Sequence, residues 1–268
     1  MNLLNKMSYI LEAKSVQISP IRILAEGIKS MIVEMSLICD KNGIRMIAMD
    51  KKSKIILIHL ELFANKFEKF EYNHSSPKFI LGVNTDHFYK IVKTASNSDT
   101  ITFFVSQSDL NTLGILLEDG NKKQMTQYKL NLIDRDEPDL PFPDSTFPFR
   151  ITMPSADLQK ICRDMTLLDA RIVEIKNVNS TLSFSCKGHF ASCTTTIGDN
   201  ANEFGIENEK KDEIISGMFS IPFLTLFTKC TNLCNNIEIY MKNDWFLMIK
   251  YTVAELGEIK LCLMPAVV

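Results

Sequence analysis

The chain has 268 residues, of which 46% are hydrophobic and 23% charged, with nine prolines and ten glycines; that composition supports an ample buried core and excludes a collagen-like or disordered chain. Its length predicts two domains of about 130 residues each. The formal net charge of −2 excludes a generic polycation, so any contact with nucleic acid has to come from basic residues gathered on one surface while acidic ones cover the others.

Residues 1–6 precede the first strand-like run, which follows Met7, and read as an extension without function. The opening MNLLNKMSYILEAK has no apolar core of secretory length, and no stretch reaches the roughly 18 apolar residues of a membrane span. A first helix carrying Pro20, Arg22, Leu24, Lys29 and Met31 leads into a strand over 32–38, the turn Asp40-Lys41-Asn42-Gly43 and a strand over 44–49, Asn-Gly being a strong hairpin signal. Lys51, Lys52 and Lys54 read as a solvated turn. Asn84 is a good helix N-cap, and apolar residues spaced three and four apart after it predict a short amphipathic helix bearing Lys90 and Lys93, then a strand over 100–105.

The segment Asp134-Arg135-Asp136-Glu137-Pro138-Asp139-Leu140-Pro141-Phe142-Pro143-Asp144 is acidic and proline-rich and predicts an extended surface linker. Leu140 and Phe142 on such a segment are either structural anchors or half of a docking groove. Beyond it come a helix with Lys160 and Arg163, a strand over 172–175, a turn over 177–180, a strand over 182–186, a helix capped by Ser220 that ends at Lys229, and a strand over 236–241.

The chain repeats itself. At an offset of about 136 residues, the run from Gly82 to Lys93 falls without gaps on that from Met218 to Lys229, with Asn84 over Ser220. At an offset of about 134, Pro20 lies over Pro154, Leu24 over Leu158, Lys29 over Arg163 and Met31 over Met165. Each half therefore holds two modules, each a strand, a short helix and several antiparallel strands. The expected organisation is an N-terminal domain over 7–131, a connector over 132–148 and a C-terminal domain over 149–268.

Arg22 with Lys29, Lys90 with Lys93, and Lys160 with Arg163 each share one helical face, and Lys229 closes the fourth helix, where a cation complements the helix dipole. Any one pair reads as the solvated face of a surface helix, and Glu26 between Arg22 and Lys29 fits that. Pseudo-symmetry instead combines all four helices into one cationic stripe, suited to phosphate contact without base reading.

No catalytic constellation is present in the sequence. His59, His74, His87 and His189 are scattered, and Cys230 and Cys234 lack a second pair of zinc ligands. There is no phosphate-binding glycine loop or G-x-S-x-G elbow, and the carboxylates of 134–139 lie in the linker. The seven cysteines (Cys39, Cys162, Cys186, Cys193, Cys230, Cys234, Cys262) are odd in number and mostly lie in apolar runs, which fits a reducing compartment. The chain is expected to be no enzyme and to need neither metal nor cofactor.

Five patches carry a family likeness: Ile47-Ala48-Met49-Asp50; Gly82-Val83-Asn84; Met153-Pro154-Ser155 running into Lys160-Ile161-Cys162-Arg163-Asp164; Phe227-Thr228-Lys229; and Leu261-Cys262-Leu263-Met264-Pro265. In that order the chain resembles the sliding DNA clamps of the proliferating cell nuclear antigen family, from about Tyr9 to Pro265. The resemblance implies an α+β DNA clamp fold, with antiparallel sheets outside and short helices lining a central hole. It also implies three subunits joined head to tail around sequence-independent double-stranded DNA, acting as a polymerase processivity factor. The family's DNA-contacting positions match Arg22, Lys29, Lys90, Lys93, Lys160, Arg163 and Lys229.

The resemblance further implies a homotrimer built by pairing edge strands, here residues 125–132, where Tyr128, Leu130 and Leu132 alternate with Lys129 and Asn131, and 191–197, with Cys193 and Thr195. Partners implied are a DNA polymerase, a clamp loader and other proteins whose peptide motifs enter a groove lined by Met49, Ile55, Leu57, Leu140, Phe142, Pro143, Phe147, Phe246, Met264 and Pro265. No membrane is involved, and the location is the nucleus, or a cytoplasmic replication compartment for a viral source. Three positions depart from the family pattern: the turn from Asp50 to Ile55 is one residue longer, Phe142 and Phe246 stand where smaller residues are usual, and Val178 replaces the usual modified lysine. A clamp-fold scaffold acting as a monomer or heteromer in damage signalling or transcription is the alternative reading.

Overall fold

The computed structural model describes residues 8–134, 140, 142–143, 146–179, 181–198, 204–208 and 213–266. The expected extension over 1–6, most of the acidic linker and Ser180 of the expected turn lie outside these residues.

The elements run in four modules. The first is β1 (Tyr9–Ser15), α1 (Ile18–Met31), β2 (Glu34–Asp40), β3 (Gly43–Met49), β4 (Ile56–Phe63) and β5 (Lys69–Tyr72). The second is β6 (Phe79–Asn84), α2 (Thr85–Val92), β7 (Asp99–Ser106), β8 (Asp109–Asp119) and β9 (Gln124–Asn131). The third is β10 (Phe149–Pro154), α3 (Ser155–Leu167), β11 (Ile172–Val178), β12 (Thr181–Lys187), β13 (Ser192–Ile197) and β14 (Gly205–Asn208), and the fourth is β15 (Ile215–Ser220), α4 (Ile221–Phe227), β16 (Asn236–Met241), β17 (Leu247–Val253) and β18 (Gly257–Leu263). Among the described residues, antiparallel strands with four α-helices are thus the observed architecture, as the repeat predicts.

Two compact units form. One gathers described residues of 8–48, 59–140 and 253–258; the other gathers those of 49–58, 142–252 and 259–266. The short transfers at 49–58 and 253–258 have no signature in the sequence, because they are set by which strands lie side by side and not by local pattern.

Within each unit the modules exchange strands. In the first, β1 pairs antiparallel with β7, the strand after the other module's helix, and β6 pairs in return with β2. In the second, β10 pairs with β16 and β15 with β11. The same exchange fixes the helices. Thr85 at the start of α2 donates its N–H to Val33 O at 3.0 Å and its hydroxyl to Ile32 O at 2.7 Å, just past the end of α1. Ser155 at the start of α3 donates its N–H to Asn235 O at 2.8 Å, and Ile221 at the start of α4 donates to Arg171 O at 2.9 Å. Paired in this way, α1 packs on α2 and α3 on α4.

Helices α1 and α3 bury the stripe their spacing predicts, Ile18, Ile21, Leu24, Ala25, Ile28 and Met31 in α1 and Leu158, Ile161, Cys162 and Met165 in α3, whereas α2 buries only Thr85 and Val92 and leaves Phe88 and Ile91 half-buried. In the first unit an apolar pocket of about 60 Å³ remains, with Leu24, Ile28, Phe88, Phe103 and Leu113 among its walls. Asn84 caps α2 as expected, its side chain accepting from His87 N at 3.1 Å. Ser220 occupies the corresponding position before α4 but makes no side-chain cap bond. The backbone anchor is nevertheless the same at both helices, Thr85 N donating to Val33 O and Ile221 N to Arg171 O.

The Asn-Gly hairpin forms between β2 and β3, with Asp40 opposite Gly43, yet only Gly43 has a positive φ, at 142°. Its glycine is needed for closeness as well as conformation, since a Cβ there would lie 2.0 Å from Leu62 O.

Candidate nucleic-acid interface and partner surfaces

The packing of α1 on α2 brings the four cations of the first unit around Tyr89 and Asp86. Lys29 Nζ sits 4.0 Å over the Tyr89 ring, and Lys93 Nζ lies 5.9 Å from the same ring. Lys29 also reaches Asp86 Oδ1 at 3.7 Å, while Lys90, one turn along α2, lies 2.7 Å from Asp86 Oδ2. Arg22 is more constrained: its guanidinium donates to Ala95 O at 3.0 Å and to Asn97 Oδ1, so it ties α1 to the loop after α2. Glu26 lies beside the Tyr89 hydroxyl, whose pKa is raised first by desolvation and then by that carboxylate. Tyr89 carried no sequence signal, since an aromatic between two lysines on a short helix reads equally as core.

In the second unit Lys160 and Arg163 project from α3, both largely exposed. Lys160 Nζ lies 2.7 Å from Asp164 Oδ2 and Arg163 Nε 3.8 Å from Asp164 Oδ1. Gln159 donates to Thr228 O at 3.3 Å, which places the exposed Lys229 on the helical segment adjoining α3. The first unit thus presents its cations on α1 and α2, whereas the second presents Lys160 and Arg163 on α3 and Lys229 on the 3-10 turn that follows α4, which ends at Phe227 and not at Lys229 and carries no cation itself. Among the described residues no group of three or more His, Cys, Asp or Glu could hold a metal ion. Cys230 is buried and desolvation pushes its thiol up to about 12; Cys234 is half-buried with its pKa raised for the same reason.

Nine of the ten expected groove residues fall in the second unit, and Leu140 falls in the first, half-buried. Phe147 meets Phe246 edge-on at 5.6 Å and Tyr240 at 5.8 Å; Trp245 lies 5.5 Å from Phe246. Leu57 and Phe246 are buried, whereas Met49, Ile55, Phe142, Pro143, Phe147 and Met264 are half-buried and Pro265 is exposed. Met264 N donates to Ile55 O at 2.9 Å, joining the C-terminal segment to the lengthened turn. That turn is built by Asp50, which accepts from Ser53 N at 2.9 Å and from the Ser53 hydroxyl, a pair that lowers its pKa. Lys260 lies 5.7 Å from the Phe142 ring and Lys242 lies 5.8 Å from Trp245. Sequence reasoning passed over Trp245 and Tyr240; for Trp245, being the one tryptophan of the chain, next to Phe246 and on the turn into β17, was the available signal.

The two expected joining strands are both sheet edges: β9 ends the order β5-β1-β7-β8-β9, and β13 ends the order β13-β12-β11-β15. Tyr128 is half-buried with its hydroxyl 3.2 Å from Thr94 Oγ1, and Leu130 is only 6% exposed, packed inside its own unit. Cys193 and Thr195 are half-buried on β13.

Comparison with known proteins covers both halves. The family model described as proliferating cell nuclear antigen, N-terminal domain, matches residues 10–139, and that of the C-terminal domain matches 141–266. A protein of Paramecium bursaria Chlorella virus 1 named "Probable DNA polymerase sliding clamp 1" is 30% identical over 255 residues, 94% of this chain and 95% of that protein. A second, named "Probable DNA polymerase sliding clamp", from Acanthamoeba polyphaga mimivirus, is 31% identical over 225 residues, 83% of this chain and 47% of that protein, so the match spans about half of its length. With four modules paired two by two and both domain models matched along nearly its whole length, the chain belongs to the proliferating cell nuclear antigen family and has its DNA clamp fold.

Proposed function

We propose that three copies of the chain join head to tail into a ring that encircles double-stranded DNA, and that this sliding clamp acts as a processivity factor, holding a DNA polymerase and other replication or repair proteins on their template. The observation that carries the reading is the family match over both halves together with cations on α1 and α2 of the first unit and on α3 of the second. The names of the two viral relatives point the same way. Retention comes from topology, since an encircled duplex cannot leave sideways. Arg22, Lys29, Lys90, Lys93, Lys160, Arg163 and Lys229 then need only weak, exchanging phosphate contacts, which keep sliding fast and carry no sequence preference. Arg22 contributes least freely of the seven, being bonded to Ala95 and Asn97.

In the ring, β9 of one copy pairs with β13 of the next, covering two open edges at once. Because Leu130 is packed inward, the backbone edge and Tyr128, not the Leu130 side chain, serve the joint. Residues 7–131 and 149–268 act as the two similar halves, with 132–148 as connector. The groove from Met49 to Pro265 named above receives partner peptides, with Phe246 as a filled floor and Phe142 at the rim. An ATP-driven loader opens the ring, and the protein itself performs no catalysis. The viral relatives favour a viral replication compartment as its place of work.

The test is charge reversal, Lys160→Glu with Arg163→Glu, in the full chain. Polymerase stimulation on primed DNA falls by at least tenfold while light scattering still gives a trimer mass. Unchanged stimulation removes these residues from the DNA face, and a monomer mass for the wild-type chain at micromolar concentration returns the scaffold reading.

A further inference from the structure

Two carboxylates each pair with two cations of the helices, one in each unit. Asp86 on α2 contacts Lys90 at 2.7 Å and Lys29, reaching over from α1, at 3.7 Å. Asp164 on α3 contacts Lys160 at 2.7 Å and Arg163 at 3.8 Å. Neither position is inherited from the repeat: Asp86 aligns with Pro222 and Asp164 with Ser30. The same arrangement, one carboxylate bridging two cations, is therefore reached at unrelated positions in the two units.

Helix stability accounts for one of the two at most. Asp86, in the first turn of α2, suits the helix dipole, but Asp164 lies in the last turn of α3, where a negative charge opposes the dipole. The order Lys160 then Asp164 is also the less favourable orientation for a pair four residues apart. Both carboxylates stay in solvent, with side chains 48% and 41% exposed, where an exposed pair adds little to folding. Hydrogen bonds from Lys90 and Lys160 hold the two carboxyls below the usual carboxylate range, so both remain ionised near neutrality.

We infer that Asp86 and Asp164 attenuate the phosphate contacts of this DNA face. Each holds two of the cations that would otherwise meet phosphate, so an approaching phosphate has to displace a standing partner and is repelled by it. The net gain of any one contact is small and contacts exchange quickly. The inference rests on the proposed DNA-facing role of the helices, and the test separates the two.

The full chain carrying Asp86→Asn and Asp164→Asn is compared with wild type and with Lys160→Gln, Arg163→Gln, using a fluorescent linear duplex and anisotropy over a salt series. Each single Asp→Asn variant tightens binding roughly 1.5- to 5-fold, and the double variant more, in proportion to the pairs released. The salt slope steepens by about 0.9 for each cation that gains a phosphate. Asp→Glu at either site stays near wild type, and melting temperature and mass are unchanged in all. If the Lys/Arg variant weakens binding while the Asp→Asn variants leave it unchanged or weaker, attenuation is refuted and the DNA face stands. If neither set alters binding, the DNA face falls and attenuation with it.

Discussion

Ser155→Ala tests the bond that joins the two modules of the second unit. Ser155 is 3% exposed, and its hydroxyl lies 2.7 Å from Cys234 O, 3.0 Å from Thr231 O and 3.1 Å from Asn235 O. A hydroxyl donates one proton, so one of these carbonyls is satisfied by it, Cys234 O being nearest. Alanine leaves that carbonyl buried without its donor, while the backbone bond from Ser155 N to Asn235 O persists. The cost is that of one buried unsatisfied acceptor, about 1–3 kcal/mol. For a unit of this size that lowers the melting temperature by roughly 3–12 °C. Thr166→Ala, which removes an exposed hydroxyl bonded to Cys162 O at 2.7 Å within the same helix, is the comparison and shifts melting by about 2 °C at most. Thermal unfolding of the full chain by circular dichroism reads both. A Ser155→Ala chain that melts with wild type would show that this hydroxyl does not secure the module junction.

Substituting serine for both Leu140 and Phe142 weakens binding of a partner peptide by about tenfold or more in calorimetry, with the fold intact by circular dichroism; unchanged affinity makes the two residues anchors only. Burial holds the thiols of Cys39, Cys162, Cys230 and Cys262 up at about 12 against an ordinary value of 9.0. The folded chain therefore keeps protons that the unfolded chain releases, so this stabilisation is complete below pH 9 and is lost as pH rises from about 9 toward 12. Melting temperature falls across that window, and a flat profile from pH 8 to 11 would contradict the assignment. A thiol reagent at pH 8 labels half-buried Cys193 well before those four.

The modules were legible because each short helix carries its apolar stripe and each repeat its register, as with Gly82 to Lys93 over Met218 to Lys229. The cations were legible for the same reason, helical spacing alone placing Lys90 with Lys93 and Lys160 with Arg163. What could not be read was how side chains from separate elements meet. Asp86 bridges Lys29 and Lys90 only because α1 lies on α2, and Leu130 faces inward because of the side of the sheet it takes, which alternation alone leaves undetermined. The caps show the limit from the other side: Asn84 and Ser220 look equivalent in sequence, yet only Asn84 makes a side-chain cap bond.

The exchange of strands between modules has a consequence for how the chain comes to be folded. Neither β1 nor β2 completes its pairing until β6 and β7 exist, so a nascent chain that ends after β5 has no finished sheet to bury its apolar face against. Ordering within each unit must wait for synthesis of its second module, and the decisive contacts join residues from Asn177 with Ile215 at the nearest in sequence to Tyr9 with Ser106 at the farthest, which sets a slow, non-local folding step. A cut between the modules of one unit leaves two fragments that are each incomplete, whereas a cut near residue 140 leaves far fewer of these pairings to restore, and fragment complementation followed by circular dichroism distinguishes the two.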